Sequence, residues 1–264
     1  MKKILLISLI FMLSFLLQSH EFWLQPNKFN LQTGESFSLD IRVGEEYHGA
    51  LWEYSDSRII NFKVFENSGK IDLTDKAKKG KGNNLTMAFK TPGTKLIALE
   101  TNSAFITLES KEFNSYLIED GLLNVLRHRN QMGLLEKNTT ENYARNVKTL
   151  LNVGNKYDET YRTITGMPLE IIPSTNPYAI DKLTFIEFKV LFNGNPLNEA
   201  LVSVWHKTND EVSVKKQWTD TEGNVIFQIN PSGKWMISVV TMIPSKEQTV
   251  DWQSYWSSLT FGYE

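Results

Sequence analysis

IEFKVLFNGNPLNEALVSVWH, residues 186–206, decides the fold class. Ile186, Phe188, Val190 and Phe192 fall on every second position, the period of a strand with one face turned to a core. Asn193-Gly194-Asn195-Pro196 is turn chemistry, and beyond it Val202, Val204 and His206 share one strand face. The pattern continues downstream. Thr219-Asp220-Thr221-Glu222-Gly223 reads as a turn, Val225, Phe227 and Ile229 alternate, and Trp235, Ile237 and Val239 follow Gly233. Short strands at this spacing predict a β-sandwich of about a hundred residues.

Upstream, Phe37, Leu39, Ile41 and Val43 alternate with polar residues, as do Ile60, Phe62 and Val64, and Leu85, Met87 and Phe89. LIALE and FITLE are further strands, and KAKKGKGNN is a solvated loop. Between the two β-regions the spacing becomes helical. Phe113, Tyr116 and Leu117, then Leu122, Leu123, Val125 and Leu126, predict helix broken near Asp120-Gly121. Tyr143, Val147, Leu150 and Leu151 predict another helix starting at Thr139 or Thr140 and stopping at Gly154. The expected fold is mainly β: two β-sandwiches, residues 20–110 and 166–264, joined by a helical connector at 111–165, and in type they resemble immunoglobulin- or prealbumin-like sandwiches.

The first nineteen residues predict export. Lys2 and Lys3 precede an apolar run from Ile4 to Leu17, too short to span a bilayer comfortably, and Ser19 supplies a small residue before a cut that frees His20. The expected compartment is periplasmic or extracellular. No later stretch is apolar enough to cross a bilayer, so the mature chain is expected to be soluble. With no cysteine among 264 residues, disulfides, thiol catalysis, thiolate metal sites and a lipoprotein anchor are all excluded. A net charge of −2 gives no reason to expect nucleic acid or an anionic membrane as partner.

Several blocks resemble one family in order along the chain: HEFWLQP, KEFNSYLIEDGL, YARNVKTLLNVG, MPLEIIPSTNPY, NGNPLNEALVSVWHKTND, TDTEGNVIFQI, SGKWMISVVTMIP and DWQSYWSSLTF. They resemble the DUF4198 family of exported bacterial proteins. That resemblance implies the soluble, periplasmic side of a nickel or cobalt uptake system, with a membrane uptake complex as partner. It implies no catalytic residues.

The four histidines are His20, His48, His128 and His206. A free terminal amine and the His20 imidazole can chelate one divalent transition metal. A second histidine would complete a nitrogen set suited to nickel or copper. His48 lies in GEEYHG beside Glu45 and Glu46, and His206 on the strand VSVWHK. The metal reading therefore has His20, His48 and His206 converging on one ion, nickel or cobalt by the resemblance, copper by chemistry. Against it, neither His48 nor His206 has HxH or HxxxH spacing, and a lone strand histidine is commonly a packed side chain. His128, between Arg127 and Arg129, belongs to a basic helix end.

No enzyme is expected, since there is no GxSxG and no carboxylate pair spaced for acid–base work. The alternative to the metal reading is a non-catalytic envelope adaptor, or a module that binds protein or glycan. The seven tryptophans, Trp23, Trp52, Trp205, Trp218, Trp235, Trp252 and Trp256, would then either stack on sugar or fill the core.

Overall fold

The structure is a computed structural model that describes residues 21–263. The expected signal peptide, its cut and His20 lie outside the described residues. In chain order the main elements are β1 (Glu21–Pro26), β2 (Ser36–Glu45), β3 (His48–Leu51), β4 (Ile59–Glu66), β5 (Gly69–Asp72), β6 (Leu85–Ala88), β7 (Gly93–Thr101) and β8 (Ala104–Leu108). Then come α1 (Ser110–Glu119), α2 (Leu123–Gln131), β9 (Thr139–Val153), β10 (Leu169–Pro173) and β11 (Thr184–Phe192). The chain closes with β12 (Leu201–Thr208), β13 (Glu211–Trp218), β14 (Asn224–Ile229), β15 (Lys234–Pro244) and β16 (Trp252–Gly262).

A central sheet of ten strands among the described residues runs β13-β12-β15-β16-β9-β7-β4-β5, with β8 and the short segment Asn30–Leu31 also paired to β9. Its front is covered at one end by the sheet β1-β2-β3 with β6, and at the other by α1 and α2. Its back is covered by β10, β11 and β14. On the front, Phe62, Val64, Ile97, Leu99, Val147 and Leu151 pack against Leu24, Phe37, Leu39 and Ile41. On the back, Leu96, Leu150, Val202, Val204, Ile237 and Leu259 pack against Ile171, Ile186, Phe188 and Phe227. Each such side chain contributes about 1.5–3 kcal/mol by leaving water. In a chain without disulfides, these two cores hold the fold.

The protein is mainly β, as its alternating runs predict, and α1 and α2 stand where the helical spacing put them. The helix expected after Thr139 is instead the fifteen-residue strand β9. The cause is its central position. Val147, Leu151 and Val153 face the front core while Leu150 faces the back, so apolar residues sit at both parities and imitate helical spacing. The expected 111–165 connector therefore holds two helices and a core strand. The halves do not meet through a helical link but through a parallel junction inside one sheet, where Glu141–Thr149 of β9 pair with Trp252–Thr260 of β16.

Candidate functional site

Among the described residues, His48 and His206 do not converge. His48 is exposed on β3, just past a two-residue turn in which Glu46 and Tyr47 have φ of 49° and 58°. Both turn residues at positive φ match the right-handed twist of the hairpin, a geometry that glycine or asparagine usually supplies. Tyr47 holds it instead by burying its ring 5.4 Å from Trp23, in a cluster with Trp205 and Met236. Gly44 and Gly49 serve close approach: a Cβ on Gly44 would lie 2.0 Å from the His48 carbonyl oxygen, and one on Gly49 would lie 2.4 Å from Trp23. GEEYHG is thus a tight structural hairpin docked on the front of the central sheet.

His206 lies on the back of that sheet. Its ring stacks on Trp235 at 3.8 Å and 10°, and its Nε2–H donates to the Ser232 carbonyl at 2.9 Å. Partial burial lowers its pKa despite that bond. β12 alternates, so Trp205 faces the His48 hairpin while His206 faces the other way. Among the described residues no group of three or more His, Asp or Glu is placed to hold a metal ion. His128 has its ring edge-on to Trp252 at 5.7 Å.

A groove of about 550 Å³ lies elsewhere, at the edge of the central sheet beside α1 and α2. One wall is the turn at Gly121 and the first turns of α2, with Asn124 and Arg127. The opposite wall is the 197–201 loop with Asn198 and Glu199. Trp218, at the end of β13, and Phe192, at the end of β11, line it between residues 240–243 of β15. Of the seven tryptophans, Trp23, Trp205, Trp235 and Trp252 are buried and Trp52 and Trp256 half-buried, whereas Trp218 is 43% exposed.

Local contacts fix these walls. Gly121 has φ of +71°, and a Cβ there would lie 2.5 Å from the Leu201 Cβ and 2.7 Å from the Trp218 ring, so only glycine lets the helix turn approach. The Lys216 ammonium donates to the Glu119 carbonyl at 2.9 Å, tying β13 to the C-terminal end of α1. Thr219 holds the opposite loop: its hydroxyl donates to the Leu197 carbonyl at 2.7 Å and accepts from the Ala200 N–H at 3.0 Å. Glu199 is held at φ of 52°, a left-handed conformation unusual for glutamate.

Beneath the groove, and sharing Leu201 and Val240 with it, a narrow cleft is lined by Glu21, Asp120, Ser203, Ser238 and Trp256. Burial pushes the Glu21 carboxyl up to about 8, with Asp120 adding and Lys216 opposing. The Arg145 guanidinium lies 4.9 Å from the Trp256 ring centre, 5.1 Å from Tyr143 and 5.5 Å from Phe22. Near it, burial pushes Glu141 up to about 7, against a close hydrogen bond from the Ser254 hydroxyl and the charge of Arg145. The Tyr116 hydroxyl reaches the same carboxyl at 3.4 Å.

A pH prediction follows. The folded protein holds the Glu141 proton more tightly than the unfolded chain, whose carboxyl titrates near 4.5. This contribution is fully present below about pH 4.5, is lost as pH rises towards 7, and stays lost above. Glu141→Gln should therefore raise stability at pH 8 by about 2 kcal/mol relative to the parent and leave it little changed at pH 4. Urea unfolding at the two pH values reads the difference, and an equal effect at both would rule out this titration.

Glu141 and Arg145 carry no signal in the sequence, because they fall in the stretch whose spacing predicts a helix but which forms β9. Trp218 stands in the sequence only as one of seven tryptophans. The other groove residues come from four separate segments that no local pattern connects.

A family model described as "Domain of unknown function (DUF4198)" matches residues 17–243. No curated protein matches the chain. Among solved structures, trypsin-activated alpha-2-macroglobulin from Escherichia coli aligns at 7% identity and a TM-score of 0.22, over 93% of this chain and 16% of that one. A likeness at that score carries no argument.

Proposed function

The chain belongs to the DUF4198 family, and we propose that it is a non-catalytic binding protein of the cell envelope whose small ligand occupies the groove beside Trp218. The observation that carries this reading is the groove itself. It falls in the usual volume range of ligand sites, about 300–1,000 Å³, and carries an exposed tryptophan in a protein whose other six are buried or half-buried. Its walls are pre-set by Gly121, Lys216 and Thr219, so little ordering would be needed on binding.

The reading as a periplasmic accessory to nickel or cobalt uptake rests on His20, since His48 and His206 lie on opposite sides of the central sheet. One experiment separates the two readings. Asn124→Trp places a large ring in the groove from an exposed position on α2. Melting temperatures of parent and variant are compared with neutral oligosaccharides, short peptides, and Ni²⁺, Co²⁺ and Cu²⁺. A ligand at about a hundred times its Kd should raise the parent melting point by about 5 °C, and Asn124→Trp should abolish the shift. A shift given only by a metal ion and kept in Asn124→Trp would favour the terminal metal site instead.

No helix among the described residues is long and apolar enough to cross a membrane.

A further inference from the structure

Resting on the groove reading above, we infer that the ligand is a neutral oligosaccharide, its sugar ring stacked on Trp218. A pyranose has one face of C–H bonds and a rim of hydroxyl groups. The first suits an exposed indole, and the second suits planar side chains that give and take two hydrogen bonds at once. The groove supplies both. Trp218 is half-exposed and fixed against the Gly121 turn, with Phe192 as a second aromatic wall. Asn124 and Asn198 contribute amides, Arg127 a guanidinium and Glu199 a carboxylate, each planar and each able to meet a pair of neighbouring hydroxyls.

The charges favour a neutral ligand. Arg127 and Glu199 are one of each sign, so the lining carries no net charge. The Asp120 carboxylate in the cleft behind it disfavours phosphate or carboxylate, and the nearby Lys216 ammonium is hydrogen-bonded to the Glu119 carbonyl. The Glu199 backbone adds a second, independent point. A non-glycine residue held at φ of 52° costs conformational energy, and the Thr219 bonds maintain it. The loop thereby keeps Glu199 in the lining of the groove.

The test is isothermal titration of the purified protein with cellotetraose, maltotetraose and triacetylchitotriose, with tetra-alanine and inorganic phosphate as comparison. At least one oligosaccharide should bind. Trp218→Ala should weaken it about tenfold or more, and Trp218→Phe should recover much of the loss because a stacking ring remains. Glu199→Gly should also weaken binding while leaving the protein as stable as the parent or more so, because glycine relieves the left-handed strain. Since that variant is not destabilised, its loss of binding cannot come from misfolding. Binding of tetra-alanine but of no oligosaccharide, abolished by Asn124→Trp, would overturn the sugar assignment and leave the groove reading standing. Should none of these probes and none of the metal ions bind in a way that Asn124→Trp abolishes, both readings fall.

Discussion

Glu170→Ala is expected to destabilise the protein by about 3–5 kcal/mol, the cost of stranding a buried charge. Glu170 on β10 receives the Lys148 ammonium at 3.1 Å, and both side chains are almost fully covered, at 3% and 2% exposure. The carboxylate also accepts from the Thr165 N–H at 2.9 Å, the Thr165 hydroxyl at 2.9 Å and the Gly166 N–H at 2.8 Å. Burial alone would raise its pKa. Lys148 and the Thr165 bonds outweigh burial and hold it below the ordinary carboxylate value. This contribution is present above the unfolded carboxylate range and is lost as pH falls through the depressed folded value, so acid should weaken the parent more than the variant. The pair joins the back of the central sheet to the back sheet. The double change Lys148→Met with Glu170→Leu, which leaves no charge behind, should recover most of the loss. Chemical unfolding of the three proteins reads this, and a Glu170→Ala cost under about 1 kcal/mol would show that water reaches the pair.

Arg129→Ala is expected to cost about 3 kcal/mol and to loosen the helical wall of the groove. Arg129 is 2% exposed at the end of α2. Its guanidinium donates to the Leu134 carbonyl at 2.8 Å and the Lys137 carbonyl at 2.7 Å, and its Nε to the Asn114 side chain at 3.2 Å. It also sits 4.9 Å from the Phe113 ring centre. Removing it leaves two carbonyls without their charged donor and loses the cation–π contact, each worth about 1–2 kcal/mol. Amide exchange should quicken in α1, α2 and the 132–138 loop, and stay slow in β7, β9 and β16. Uniformly faster exchange across the central sheet would mean that the helices are not a separable layer.

Much of the fold could be read from the sequence because much of it has one wet face. β2 alternates between core and solvent, so Phe37, Leu39 and Ile41 declare it a strand. α1 packs one stripe, Phe113, Tyr116 and Leu117, onto the sheet. β9 has no wet face, and its two-sided burial removes the period that would identify it. The parallel pairing of β9 with β16 joins residues more than a hundred positions apart and leaves no local trace. The same holds for the site. His48 and His206 are visible as rare residues, but only geometry shows that one caps a hairpin and the other stacks on Trp235. Trp218 is one tryptophan among seven until its exposure separates it.

In the proposed function the ligand enters beside Trp218. The most direct measurement is an amide chemical-shift map recorded while the protein is titrated with cellotetraose, maltotetraose or triacetylchitotriose. Saturable shifts are expected at Gly121, Asn124, Glu199, Trp218 and Thr241, with little change around His48 or His206. Saturable shifts centred on either histidine, with the groove residues unmoved, would contradict this placement of the ligand.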